Sequence, residues 1–94
     1  MSCLHILNKA PGEPRFDACL SGLTHGDTLL LIENAVIAVV HNTTDWPEGV
    51  KLNVLLDDLE ARGLKDAAVG KAWLSVDYPG FVTLTTESEK VVCW

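Results

Sequence analysis

Gly26-Asp27-Thr28-Leu29-Leu30-Leu31-Ile32 decides the fold class. The apolar run from Leu29 to Ile32 has no polar alternation, so it predicts a strand buried on both faces, as in a parallel sheet. Upstream, Phe16, Leu20 and Leu23 recur at helical spacing, and Pro14 suits a first helical turn, where its missing N–H costs nothing. Before that helix, Cys3-Leu4-His5-Ile6-Leu7-Asn8 reads as a short apolar strand that stops at the loop Lys9-Ala10-Pro11-Gly12-Glu13.

Downstream of the central run, Ala35-Val36-Ile37-Ala38-Val39-Val40 reads two ways. Its β-branched residues favour a strand, and its position after a buried strand favours a helix. His41 to Gly49 reads as loop, and Val50-Lys51-Leu52-Asn53-Val54-Leu55 as a third strand. Asp57 and Asp58 then fit the first turn of a helix, with Leu56, Leu59 and Leu64 facing inward and Gly63 as its stop. Lys71 to Val76 predicts a fourth strand and Lys90 to Trp94 a final one. Between them, Asp77 to Thr86 is either a hairpin turning at Pro79-Gly80 or a helix capped by Asp77. Propensity favours the hairpin. Strands separated by helical segments predict an α/β fold, a small, mostly parallel sheet in one domain spanning residues 1–94.

Hydrophobic residues make up 48% of the chain, which excludes a disordered segment. So much apolar surface in a small domain fits a subunit covered by partners as well as a packed monomer. Thirteen acids against seven bases give a net charge of −6, which opposes a direct grip on nucleic acid. No apolar run reaches the roughly 18 residues of a membrane span, and no signal peptide is visible, so the expected address is the cytoplasm.

Walker, GxGxxG, GxSxG and HExxH patterns are absent, which leaves nucleotide hydrolysis, dinucleotide binding and triad hydrolysis without support. The three histidines, His5, His25 and His41, lie far apart in sequence; His5 in a strand and His25 in a turn read as structural. The acids Asp57, Asp58 and Glu60 read as the solvated start of a helix. The three cysteines, Cys3, Cys19 and Cys93, have no zinc-ligand spacing and in a reducing compartment are expected as thiols. Cys19 lies beside the Phe16, Leu20, Leu23 stripe at its edge, where a thiol is half-covered yet reachable; Arg15 is the only nearby cation. Cys93 sits beside the terminal carboxylate, and Cys3 is expected to pack inside the first strand.

Several segments together resemble the DsrH/TusB family. They are Leu4 to Lys9, Gly26 to Val36, Asp58 to Leu64 and Val76 to Thr85, with the chain closing on Trp94. The resemblance covers nearly the whole chain in order. It implies a DsrE/DsrF/DsrH-like fold with helices on both sheet faces, which turns Asp77 to Thr86 towards helix. It also implies a cytoplasmic heterohexamer with related subunits of the DsrE/TusD and DsrF/TusC types, which passes persulfide sulfur between upstream and downstream carrier proteins. The sulfur serves 2-thiolation of the tRNA wobble uridine or dissimilatory sulfur oxidation.

DsrH-type members carry a cysteine in a pattern similar to Asp17-Ala18-Cys19-Leu20, whereas some TusB-type members lack it. The resemblance therefore makes Cys19 the candidate persulfide carrier in a transfer subunit that is not a stand-alone enzyme. No metal or organic cofactor is required, and neither direct nucleic-acid contact nor a membrane is expected. Two other readings stay open. One is a structural subunit that shapes the docking surface of a carrier partner; the other is a homo-oligomeric small-molecule binding module, since doubly wound sheets hold ligands at strand ends.

Overall fold

The computed structural model describes residues 2–41, 44–68 and 72–94. Its strands are β1 (Cys3–Leu7), β2 (Thr28–Leu31), β3 (Lys51–Leu55), β4 (Leu74–Val76) and β5 (Lys90–Cys93). They form a five-stranded sheet in the order β4-β3-β2-β1-β5, and every pairing is parallel. The α/β class and the parallel sheet expected from Leu29 to Ile32 are what forms. Leu29, Leu30 and Leu31 of the central strand are fully buried, each contributing about 1.5–3 kcal/mol of transfer free energy.

Three α-helices and two 3-10 segments connect the strands: α1 (Pro14–Gly22), α2 (Leu56–Ala61), α3 (Tyr78–Glu87), Glu33–Val40 and Asp66–Ala68. Alternation along the strands sends successive side chains to opposite sheet faces. On one face Leu7, Leu29, Leu31 and Val54 pack with Phe16 and Cys19 of α1, Val36 and Val39 of the first 3-10 segment and Leu59 of α2. On the other face Leu4, Ile6 and Leu30 meet Phe81 and Leu84 of α3. Helices therefore cover both faces, but α3 alone serves the second.

The ambiguous run after β2 is a 3-10 helix, Glu33–Val40. Glu33 enters it at φ 51, in the left-handed region that L side chains rarely adopt, and its N–H donates to Asp58 Oδ2 at 2.7 Å. Asp58 is thus tied to the end of β2, where a solvated helix start was expected. Arg62 hydrogen-bonds Asn34 across the same corner. Gly63, at φ 67, stops α2 as expected, and Leu64 N–H closes back on Leu59 at 3.0 Å.

Two expectations need correction. The propensity reading of Asp77 to Thr86 as a hairpin fails: the segment is α3, as the family resemblance implied. Asp77 Oδ1 accepts from Gly80 N–H at 2.8 Å, Pro79 sits in the first turn, and Phe81 and Leu84 gain a sheet to pack on. Thr83 also returns its hydroxyl to the Pro79 carbonyl at 3.1 Å, giving a β-branched residue a helical partner. The fourth strand is shorter than expected, Leu74–Val76. Lys71 lies outside the described residues, and Trp73 instead packs edge-on against Trp46 at 4.9 Å.

Candidate functional site

Cys19 does not occupy the half-open edge expected from the helical wheel. It is 0% exposed, enclosed with Phe16, Leu23 and the sheet residues Leu7 and Leu29. The wheel places it beside the apolar stripe, and docking α1 on β1 and on the 3-10 segment closes that edge. Burial without a compensating cation pushes its thiol up to about 12. Cys3 is partly buried; burial and then the Asp27 charge raise its thiol, against a smaller opposing effect of Lys90. Cys93 in β5 is exposed.

The other chemistry-bearing cluster lies where β1 meets β5, at the turn leading into β2. His5 Nε2 lies 2.8 Å from Asp27 Oδ2, with both side chains buried. The same Asp27 oxygen accepts from the Thr24 N–H and the Thr24 hydroxyl, each at 3.1 Å. On the far side of the ring, Trp94 Nε1–H donates to His5 Nδ1 at 3.1 Å. An indole nitrogen only donates, so Nδ1 must be the bare nitrogen and Nε2 carries the proton given to Asp27. Burial raises the Asp27 carboxyl, but the hydrogen bonds from His5 and Thr24 outweigh it and leave the group below its ordinary value.

Glycine makes room for this arrangement. A Cβ on Gly22, at the end of α1, would stand 3.1 Å from the Trp94 indole. The cluster is therefore a lock between the first and last strands, with both imidazole nitrogens committed. The sequence reading of His5 as structural agrees with that geometry. It missed Asp27 and Trp94 as partners, because only the register of β1 against β2 and β5 brings them together.

His25 and His41 stand apart from this lock. A Cβ on Gly49 would lie 2.0 Å from the His25 ring, so Gly49 leaves space for it. His41 hydrogen-bonds Thr44 Oγ1 at 3.0 Å on the rim of a cavity of about 350 Å³, near Asp17 and Asp45. Among the described residues no group of three His, Cys, Asp or Glu side chains is placed to hold a metal ion. Among the same residues no helix is long and apolar enough to cross a membrane.

The chain matches the DsrH family, described as DsrH like protein, over residues 9–91. It is 34% identical to Protein TusB of Escherichia coli O81 (strain ED1a), with 97% of this chain and 99% of the relative covered. Protein TusB of Pectobacterium carotovorum subsp. carotovorum (strain PC1) is likewise 34% identical over 97% of this chain and 99% of its own length. Protein TusB of Pectobacterium parmentieri is 33% identical with the same coverage. The matched span runs from the loop after β1 to the middle of β5, and by it this chain belongs to the DsrH family.

Proposed function

We propose that the chain is a subunit of a cytoplasmic sulfur-relay complex, and that its part is to shape the surface on which a sulfur-carrying partner docks. Family membership supports the relay, and the enclosure of Cys19 supports the docking role. With its thiol near 12, only about one molecule in 100,000 holds a Cys19 thiolate at neutral pH. Attack on a persulfide needs a thiolate with access to the terminal sulfur. Cys19 in the closed fold has neither.

The partners in this reading are related small subunits of the DsrE/TusD and DsrF/TusC types, assembled as a heterohexamer. The acceptor pathway, wobble-uridine thiolation or sulfur oxidation, follows from the proteins that the complex meets. A second reading keeps Cys19 as carrier, favoured by its place in the Asp17 to Leu20 segment that resembles DsrH-type members. It requires α1 to lift from the sheet. The Cys19 thiolate would then attack the outer sulfur of a donor persulfide and release the donor thiolate, becoming a persulfide itself.

One experiment separates the two readings. The assembled complex is incubated with a persulfide donor, and each subunit is weighed by mass spectrometry. The docking reading expects the extra sulfur on a partner's cysteine, and full sulfur flow through a complex carrying Cys19→Ser. One added sulfur on Cys19, together with loss of flow in Cys19→Ser, would install the carrier reading in its place.

A further inference from the structure

A groove of about 560 Å³ opens on the α3 side of the sheet, beside the edge strand β4. Its lining includes Thr28, Lys51, Asn53, Leu74, Leu84 and Glu87. The register aligns Leu30, Asn53 and Leu74 across three strands, and Leu30 packs on the α3 side, so Asn53 and Leu74 point the same way. Asn53 is only 4% exposed, and its carboxamide has no hydrogen-bonding partner among the described residues. Buried polar groups are rarely left so. The partner of this amide must come from the groove.

We propose that the groove seats an uncharged, apolar segment of a partner polypeptide. Asn53 reads one peptide group of that segment, donating from Nδ2 to its carbonyl and accepting its N–H at Oδ1. A carboxamide carries donors and an acceptor side by side, and a peptide offers the matching pair. Lys51 and Glu87 put opposite charges on the lining, so no ion of either sign is selected. The surface around the groove also suits a macromolecule. Leu74 is 66% exposed, and on α3 Val82 is 61% and Tyr78 52% exposed. No residue of α3 is fully buried, and none from Tyr78 to Thr86 is charged. A second copy is a poor occupant, since each chain brings a net charge of −6 to the contact. The partner is thus a different chain, and the assignment rests on the relay-complex reading, in which the related subunits supply it.

The test titrates the isotope-labelled chain with the two related subunits, following the Asn53 side-chain amide signal by NMR and assembly by native mass spectrometry. The signal is assigned by its loss in Asn53→Leu. Binding should shift the Asn53 amide, and Leu74→Arg should weaken assembly at least tenfold. Leu74 is mostly solvated, so Leu74→Arg alone should melt with the wild-type chain, which removes misfolding as an explanation. The groove assignment stands only if both changes occur. Assembly at wild-type affinity by Leu74→Arg, or an unmoved Asn53 signal in a formed complex, overturns it and leaves the relay reading intact. A shift of Asn53 with the concentration of the lone chain would make a second copy the occupant and also overturn it. Failure of the wild-type chain to assemble with either subunit would sink both readings together.

Discussion

Removing the Asp27 side chain should be among the most damaging single changes in this fold. Asp27→Ala deletes the acceptor for His5 Nε2 at 2.8 Å and for both Thr24 donors at 3.1 Å. The His5 N–H is then left buried with nothing to receive it. Breaking a buried charged hydrogen-bonded pair by deleting one member costs about 3–5 kcal/mol. Taking the lower value, because the Thr24 side of the site is partly open, the melting temperature should fall by about 12–24 °C. Asp27→Asn keeps an acceptor oxygen for His5 and should lose only about 1–2 kcal/mol. The pH dependence has a definite sign. The Asp27 carboxyl is held below its ordinary value, so its stabilisation is present above the ordinary carboxylate range and is lost as pH falls through the folded value. Thermal unfolding by circular dichroism should therefore show the widest gap between wild type and Asp27→Ala near neutrality, narrowing in strong acid. An Asp27→Ala chain melting within about 3 °C of wild type at neutral pH would refute the lock, against the several degrees per kcal/mol expected of a domain this size. So would a gap that stays constant into strong acid.

Three further outcomes follow from the packing. Cys93 should react with a thiol reagent at once, whereas Cys19 should react only as fast as the native fold opens; timed labelling with mass spectrometry reads both rates. Cys19→Ser places a hydroxyl among apolar side chains and should cost about 1–3 kcal/mol by thermal or denaturant unfolding. Asp77→Ala removes the cap of α3 and should cost about 1 kcal/mol, seen as a modest loss of melting temperature with the sheet retained.

Much of the sheet was legible because its strands are short apolar runs whose burial needs no knowledge of their neighbours. Thr28 to Leu31 is the clearest case: a strand covered on both faces has no polar alternation to hide it. Where sequence reasoning stopped, tertiary contacts decided the result. β-branched residues in Asp77 to Thr86 pointed to a hairpin, yet a cap and two side chains packed on the sheet outweighed propensity. Cys19 was placed correctly at the edge of a stripe, but the wheel of one helix cannot show that the next element covers that edge. Asn53 carried a signal that went unused, as the lone polar side chain before Val54-Leu55 in a buried strand. Asp27 and Trp94 gave none that could be read without the register.

The place of β5 beside β1 bears on how the chain reaches this state. β1, β2 and β3 pair with neighbours in chain order, but the outer side of β1 is closed by Lys90–Cys93, and the lock from Trp94 to His5 spans 89 positions. Such a contact must overcome loop-closure entropy before it returns any stabilisation, so it is the slowest of the sheet's pairings to form. Until β5 arrives, β1 offers an open row of N–H and C=O groups flanked by leucine and isoleucine, which is a template for the wrong strand of another molecule. The yield of refolding should therefore fall with protein concentration, even under conditions where the finished fold is stable.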